Sequence, residues 1–293
     1  MDYHKDFVKL ISSIEHTRRV SDVMDDFLEM AVVAIANRFY NSKTLESSYL
    51  GVVKKYTSNQ AAKFSELLGI VAAALSDEPK QDFLGRIYEE IGEPNQDLGQ
   101  FFTPYVISQI TAESVLGNGE VEKAIASKGY VTVADPACGA GCLMIAFRNS
   151  MSDRGYGSDS MFATVVDIDK NCLNMAYIQL SFLGVAAELL LGNFLTRKFK
   201  MRLCTPTTFL VPRFWHLPYC RPLVEIADES VPMPSDLPVS HLEIDDSAIA
   251  VTSAAESVKP AKSRKKSKAK VDPVPVIVPD VQLSLFSDQR SHG

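Results

Sequence analysis

Val131-Thr-Val-Ala-Asp135-Pro-Ala-Cys-Gly-Ala-Gly141-Cys-Leu-Met-Ile-Ala-Phe147 decides the fold. It opens on β-branched residues, passes through a proline and two glycines, and closes on an apolar run. That order reads as strand, tight turn and helix. Gly139 and Gly141 flank Ala140, so the chain can reverse sharply and present a helix N-terminus at close range to a ligand. A purely structural turn uses the same residues, so this stretch fixes a conformation before it fixes a function.

The pattern continues on both sides. Upstream, residues 105–115 read as a helix, with Thr103 as its cap and Pro104 at its first position. Residues 120–127 form a short helix that stops at Gly129, and 130–134 are the first strand. Downstream, 142–149 are helical and 161–166 are a second strand followed by Asp167-Ile-Asp169. Residues 171–184 are an apolar helix, and 187–191 are a third strand ending at Gly192-Asn193. Strand, helix, strand, helix, strand is the first half of a doubly wound α/β sheet. Residues 207–211 are a candidate fourth strand, and 214–219 hold several aromatic groups without a period. Too little chain remains before the composition turns to Pro, Ser, Asp and Ala for a seven-stranded sheet. Either the core is truncated and one face needs a partner, or the N-terminal region completes it.

That region, residues 1–95, reads as helical. Phe27, Met30, Ala31 and Ile35 recur at helical spacing, as do Phe64, Leu67, Leu68, Val71 and Ala72. Ser58 or Asn59 is the expected cap of the second of these helices. Residues 82–91 are a further helix, ended by Gly92-Glu-Pro94. The expected organisation is a helical region over 1–95, an α/β core over 96–224, and a tail of disordered composition over 225–293.

With 293 residues, 46% hydrophobic, the chain can bury a core of ordinary size. A net charge of -6 excludes a molecule that is basic throughout. Charge is segregated: seven of the twelve residues from Lys259 to Lys270 are basic and none is acidic, whereas 225–246 carry seven acidic residues and no Lys or Arg. No long apolar run suggests a membrane span, and the N-terminus lacks the pattern of a signal peptide. Five cysteines without a Cys-x-x-Cys pair suggest no metal, and a cytoplasmic setting is expected.

Four positions make a candidate binding constellation. Asp135 ends the first strand and can accept from a ligand ammonium. Asp167 ends the next, where a carboxylate can accept two ribose hydroxyls. Asn193 ends the third and can bond the amino edge of an adenine. Phe102-Thr103-Pro104 can close over the same edge. Asp167 also reads as a helix cap and Asn193 as a turn residue, while Asp169 is assigned to capping.

Gln100-Phe-Phe-Thr-Pro104 and Asp135-Pro-Ala-Cys-Gly-Ala-Gly141 together resemble the amino-terminal part of the adenine-N6 DNA methyltransferases of the type I restriction-modification kind. Tyr177-Ile-Gln-Leu-Ser181 and Gly192-Asn-Phe-Leu-Thr196 are similar to phage and plasmid N-6 DNA methylases. The resemblance covers roughly residues 80–196. It implies a Rossmann-like methyltransferase core, preceded by a helical region, that uses S-adenosyl-L-methionine and acts on duplex DNA. The implied cofactor-binding residues are Phe102, Thr103, Pro104, Asp135, Ala137, Gly139, Gly141, Asp167 and Asn193. Asn193 stands where the family usually has Asp.

The family's Asn/Asp-Pro-Pro-Tyr/Phe segment, whose aromatic ring stacks on a flipped adenine, is absent from the chain. The nearest remnants are Val211-Pro-Arg-Phe214 and Leu217-Pro-Tyr219, so Phe214 and Tyr219 are the candidate catalytic stackers. Three readings follow: a divergent adenine-specific DNA methyltransferase, a subunit completed by another methyltransferase or specificity subunit, or a degenerate module that keeps only DNA or cofactor binding. A methyltransferase for RNA or protein uses the same fold. In the tail, Gln282-Leu-Ser-Leu-Phe286 resembles the pentapeptide that docks bacterial proteins onto the sliding clamp. Leu283, Leu285 and Phe286 are its apolar anchors and Gln282 its polar contact. A terminal strand or helix packed back on the protein is the alternative.

Overall fold

The computed structural model describes residues 1–91, 102–215 and 217. The N-terminal region is helical, as expected: α1 (Tyr3–Ser12), α2 (Val20–Tyr40), α3 (Lys43–Val53), α4 (Ser58–Asp77) and α5 (Phe83–Ile91). The cap of α4 is Thr57, one residue earlier than Ser58. Its hydroxyl accepts from Gln60 N while the Gln60 side chain accepts from Thr57 N, so two otherwise unmet donors are satisfied reciprocally. After α6 (Tyr105–Leu116) and α7 (Glu120–Lys128) the chain enters the sheet: β1 (Val131–Asp135), α8 (Cys142–Asp153), β2 (Met161–Asp167), α9 (Lys170–Phe182), β3 (Ala186–Asn193) and β4 (Lys198–Cys204). Helix α10 (Pro206–Leu210) and a 3₁₀ turn, Pro212–Phe214, follow.

The sheet order is β1-β2-β3-β4, with β1, β2 and β3 parallel and β4 antiparallel. Both crossovers step in the same direction, which puts α8 and α9 on one face. Residues Cys172–Leu180 of α9 are all buried, because α2, α4 and α5 pack over it from outside. A helix covered on all sides has no need of a polar stripe, and α9 has none among these residues except Asn174 and Gln179. One hydrophobic cluster runs from Phe7 and Phe27 through Leu84, Ile145 and Ile178 to Leu189 and Leu203. The N-terminal helices are therefore part of the same core as the sheet.

Two expectations are corrected. Residues 207–211 are not a strand: Thr205-Pro206 starts α10, where proline's missing N–H costs nothing at the first helical position. The fourth strand is Lys198–Cys204, whose Lys-Phe-Lys-Met-Arg-Leu sequence alternates polar and apolar. Gly192 makes the β3–β4 hairpin possible. A bulge falls between Leu191 and Gly192, and a Cβ at 192 would collide with the carbonyl of Lys198. Pro104 is the cap residue of α6 rather than its first helical position, and no side chain caps that helix.

Candidate functional site

β1 and β2 end in carboxylates, Asp135 and Asp167, side by side in adjacent parallel strands. Parallel sheets put their loops and helix N-termini at this end, which is where such folds bind ligands. The turn after β1 is held from several directions. Asp135 Oδ1 accepts from Ala137 N at 3.1 Å, and Cys138 N donates to Val166 O at 2.9 Å. Gly139 N donates to Asp167 Oδ2 at 2.8 Å, and Gly141 N to Cys138 O at 2.8 Å. Gly141 has φ +91°, and a Cβ there would lie 3.2 Å from Ala176 Cβ of α9. Only glycine combines that backbone with so close an approach of turn and helix.

A second support comes from inside. The carbonyl of Ala140 accepts from Gln179 Nε2 at 2.9 Å, and the same nitrogen donates to Asp82 Oδ1 at 2.8 Å. Gln179 Oε1 accepts from Leu84 N at 3.1 Å, and Asp82 also accepts from Gly85 N at 2.9 Å. Gln179 is fully buried and Asp82 nearly so. One glutamine on α9 thus ties the start of α5 to the turn, a role that sequence reading missed. Its signal was a polar residue, Gln179, inside the apolar helix.

A cleft of about 260 Å³ opens at this turn, lined by Phe102, Thr103, Ser108, Thr111, Asp135 and residues 137–140, 142 and 143. The Phe102 ring packs on Gly139, 3.5 Å from where a Cβ would be, and meets Tyr88 edge-on. Phe102, Thr103, Asp135, Ala137 and Gly139 are therefore brought together, with Pro104 beside them at the head of α6 and Gly141 at the head of α8. Asp135 is the only charged residue among the described residues of the lining. Burial pushes its carboxyl above the ordinary aspartate range, and the Asp167 charge adds to the rise. The Asp135 carboxylate disfavours a phosphate beside it, despite the helix N-terminus, and suits a neutral or cationic group. The thiols of Cys138 and Cys142 are pushed up by burial, Cys142 to about 12, so neither is a nucleophile here.

The other residues are placed differently. Asp167 accepts from Gly139 N and from Asp169 N, both at 2.8 Å, so it braces the turn, and it is not among the residues that line the cleft. Burial raises its pKa as well. Asp169 caps α9, accepting from Asn171 N and Cys172 N. Asn193 is a turn residue: its Oδ1 accepts from Thr196 N at 3.1 Å in the β3–β4 hairpin, outside the cleft. Phe214 is fully buried against Phe162 and Tyr130, at the opposite ends of the strands from Asp135, and the structure does not bring it to the cleft. Tyr219, Gln282, Leu283, Leu285 and Phe286 lie outside the described residues. Among the described residues no helix is long and apolar enough to cross a membrane.

No curated protein matches the chain. The crystal structure of a Listeria monocytogenes protein described as a class I S-adenosylmethionine-dependent methyltransferase matches with 18% identity. The match covers 65% of this chain and 53% of that one, at a TM-score of 0.32, too low to establish a shared fold. Residues 79–201 match the family model described as N-6 DNA Methylase, a span that takes in α5, α6, the glycine turn, all three parallel strands and the start of β4.

Proposed function

We propose that the cleft at Asp135 binds S-adenosyl-L-methionine and that the protein transfers its methyl group to adenine N6 in duplex DNA. The observation that carries this reading is the Asp135 carboxylate in the lining of a cleft built on the glycine turn, inside the matched span. S-adenosyl-L-methionine fits that lining because its ammonium and sulfonium are both cationic; it supplies an electrophilic methyl when bound. Asp135 Oδ2, which accepts no hydrogen bond from the described residues, receives the ammonium. Asp167 uses one site on each oxygen to brace the turn, and a carboxylate has about four acceptor sites in all, so it can still accept from ribose hydroxyls. Phe102 and Thr103 wall the cleft. Held there, the cofactor would supply the methyl group to adenine N6, with the thioether and the displaced proton, taken up by solvent, as the other products.

A second reading is favoured by a specific observation. Phe214 is buried, and the chain contains no Asn/Asp-Pro-Pro-aromatic segment. On this reading the protein keeps the cofactor cleft and acts through DNA, or through a sliding clamp docked by Gln282, Leu283, Leu285 and Phe286, without turnover. A methylating or specificity subunit then supplies the missing acceptor. Labelled methyl transfer to unmethylated duplex, with a titration of S-adenosyl-L-methionine alongside, separates the two. Binding with transfer supports the enzyme, and binding without transfer supports the module. No binding, in protein whose fold is intact, refutes both. Retention of an immobilised clamp after Leu285→Ala and Phe286→Ala are combined would remove the tail from the account.

A further inference from the structure

The rim of the sheet is divided by charge. Asp135 and Asp167 end β1 and β2, and β3 ends at Asn193 on the same side, because the three strands are parallel. Between Asn193 and Cys204 the chain carries four basic residues, Arg197, Lys198, Lys200 and Arg202, and no acid. Arg202 pairs with Glu188 at 2.7 Å in the interior. The other three are exposed, and no carboxylate of the described residues lies within ion-pair distance of any of them. Lys198 and Lys200 flank Phe199, which is buried and anchors this arm of the β3–β4 hairpin.

The tip of the hairpin is ordered by its own hydrogen bonds. Asn193 and Lys198 are the last pair of the ladder. Between them Arg197 N donates to Phe194 O at 3.3 Å, and Thr196 N donates to Asn193 Oδ1 at 3.1 Å. Arg197 has φ +55°, a region that asparagine or glycine enters at lower cost. An arginine held there contributes a charge that the turn does not need for its own stability, and strain of that kind points to function. Leu195 is 90% exposed at the tip, and Ile168 is 69% exposed where β2 ends. Bare apolar side chains among unpaired cations suit a partner that offers both phosphates and base edges, since proteins set leucine or isoleucine between base steps while cations hold the backbone.

We propose that the β3–β4 hairpin is a DNA-contacting arm, in which Arg197, Lys198 and Lys200 meet backbone phosphates and Leu195 seats in the groove beside them. That role rests on the reading of the protein as one that acts on duplex DNA. β3 stands two strand spacings, about 10 Å, from β1, close to the width of the major groove, about 12 Å. A base drawn out to the Asp135 cleft on β1 and the phosphates that border the same groove are therefore within reach of one rim. The carboxylates that end β1 and β2 repel phosphate and leave β3–β4 as the side on which the backbone is held.

Equilibrium binding of the full chain to a labelled duplex of mixed sequence, measured over a series of salt concentrations, tests it. Each phosphate contact adds about one unit to the slope of log affinity against log salt. Arg197→Asn, Lys198→Gln and Lys200→Gln combined should make that slope shallower by about 2–3 units and weaken binding at low salt by about tenfold or more, with the thermal midpoint unchanged or higher. Leu195→Ser should weaken binding by about tenfold and leave the slope alone. Both variants are also made with the basic residues of 259–270 changed to glutamine, so that contacts from that block do not mask the hairpin. If the unmutated chain binds and the triple variant keeps its affinity and slope in both backgrounds, the proposal is overturned and the DNA reading stands. If the unmutated chain does not bind duplex at all, both fall. Loss of adsorption to anionic lipid vesicles with DNA binding intact would assign the arm to a membrane surface and likewise overturn the proposal.

Discussion

Asp135 is where chemistry and stability pull apart. Its carboxylate is buried and its pKa is raised, so the ionised form that would hold a cation is the form the fold favours least. Asp135→Asn keeps an acceptor for Ala137 N and removes the charge. It should weaken S-adenosyl-L-methionine binding by about tenfold or more and leave the thermal midpoint unchanged or higher; a titration and a melt on one preparation read both. Binding by the unmutated protein should weaken as pH falls through the raised pKa, at a pH above that of an ordinary aspartate, and the Asn variant should lack that step. Gly141→Ala makes the opposite demand, since it leaves the charge alone and strains the turn. A left-handed conformation costs a non-glycine residue about 1–2 kcal/mol, and the contact with Ala176 adds to it. Urea denaturation should show that loss. At this scale the sequence was legible for the turn and for the two strand-end carboxylates. It was not legible for Asp167's bonds to the turn, because partners 28 residues apart are chosen by register between strands.

Elements were legible where one period dominates. Helix α9 and strands β1, β2 and β3 fall within a few residues of their expected limits, since each is a run of apolar residues between clear breaks. β4 was overlooked although it alternates cleanly, because three basic residues in seven look like a loop until an antiparallel neighbour covers one face. Phe214 was misplaced for a related reason: a proline beside an aromatic is a local signal, whereas the ring's burial depends on strands 50 residues upstream. The join between elements rests on Gln179. Gln179→Leu keeps the volume but strands Leu84 N, the carbonyl of Ala140 and the carboxyl of Asp82 in the interior. A loss of about 2–4 kcal/mol is expected from unmet buried groups, measurable as a lower urea midpoint. Cofactor affinity should fall with it, because the turn loses its inner support. A full loss of stability with unchanged affinity would show that the turn is held by Asp167 and Ala176 alone.

Burial governs several of the molecule's acids. Asp25, Asp82, Asp135, Asp167 and Glu188 all have raised pKa values with burial as the first cause. Glu188 is the clearest case. It lies 2% exposed on β3, 2.7 Å from Arg202 of β4, and burial outweighs that charge enough to push its carboxyl up to about 7. An acid whose pKa is higher in the folded state than in the unfolded one keeps its proton better when folded. Its contribution to stability is therefore full below the unfolded pKa and is lost as pH rises through the folded one. The thermal midpoint should accordingly rise as pH is lowered from about 8 to about 5.5. The lowered pKa of Glu15, about 2, acts only in far more acid solution. Glu188→Gln removes a contributor whose folded pKa lies within that window. It should have its smaller effect below about pH 7, where Glu188 holds a proton and glutamine resembles it, and it should flatten the slope of midpoint against pH, since glutamine loses no proton as pH rises. A slope that persists in Glu188→Gln would move the effect to the carboxylates at the glycine turn, where Asp135→Asn would then remove it and tie the stability of the molecule to its candidate site.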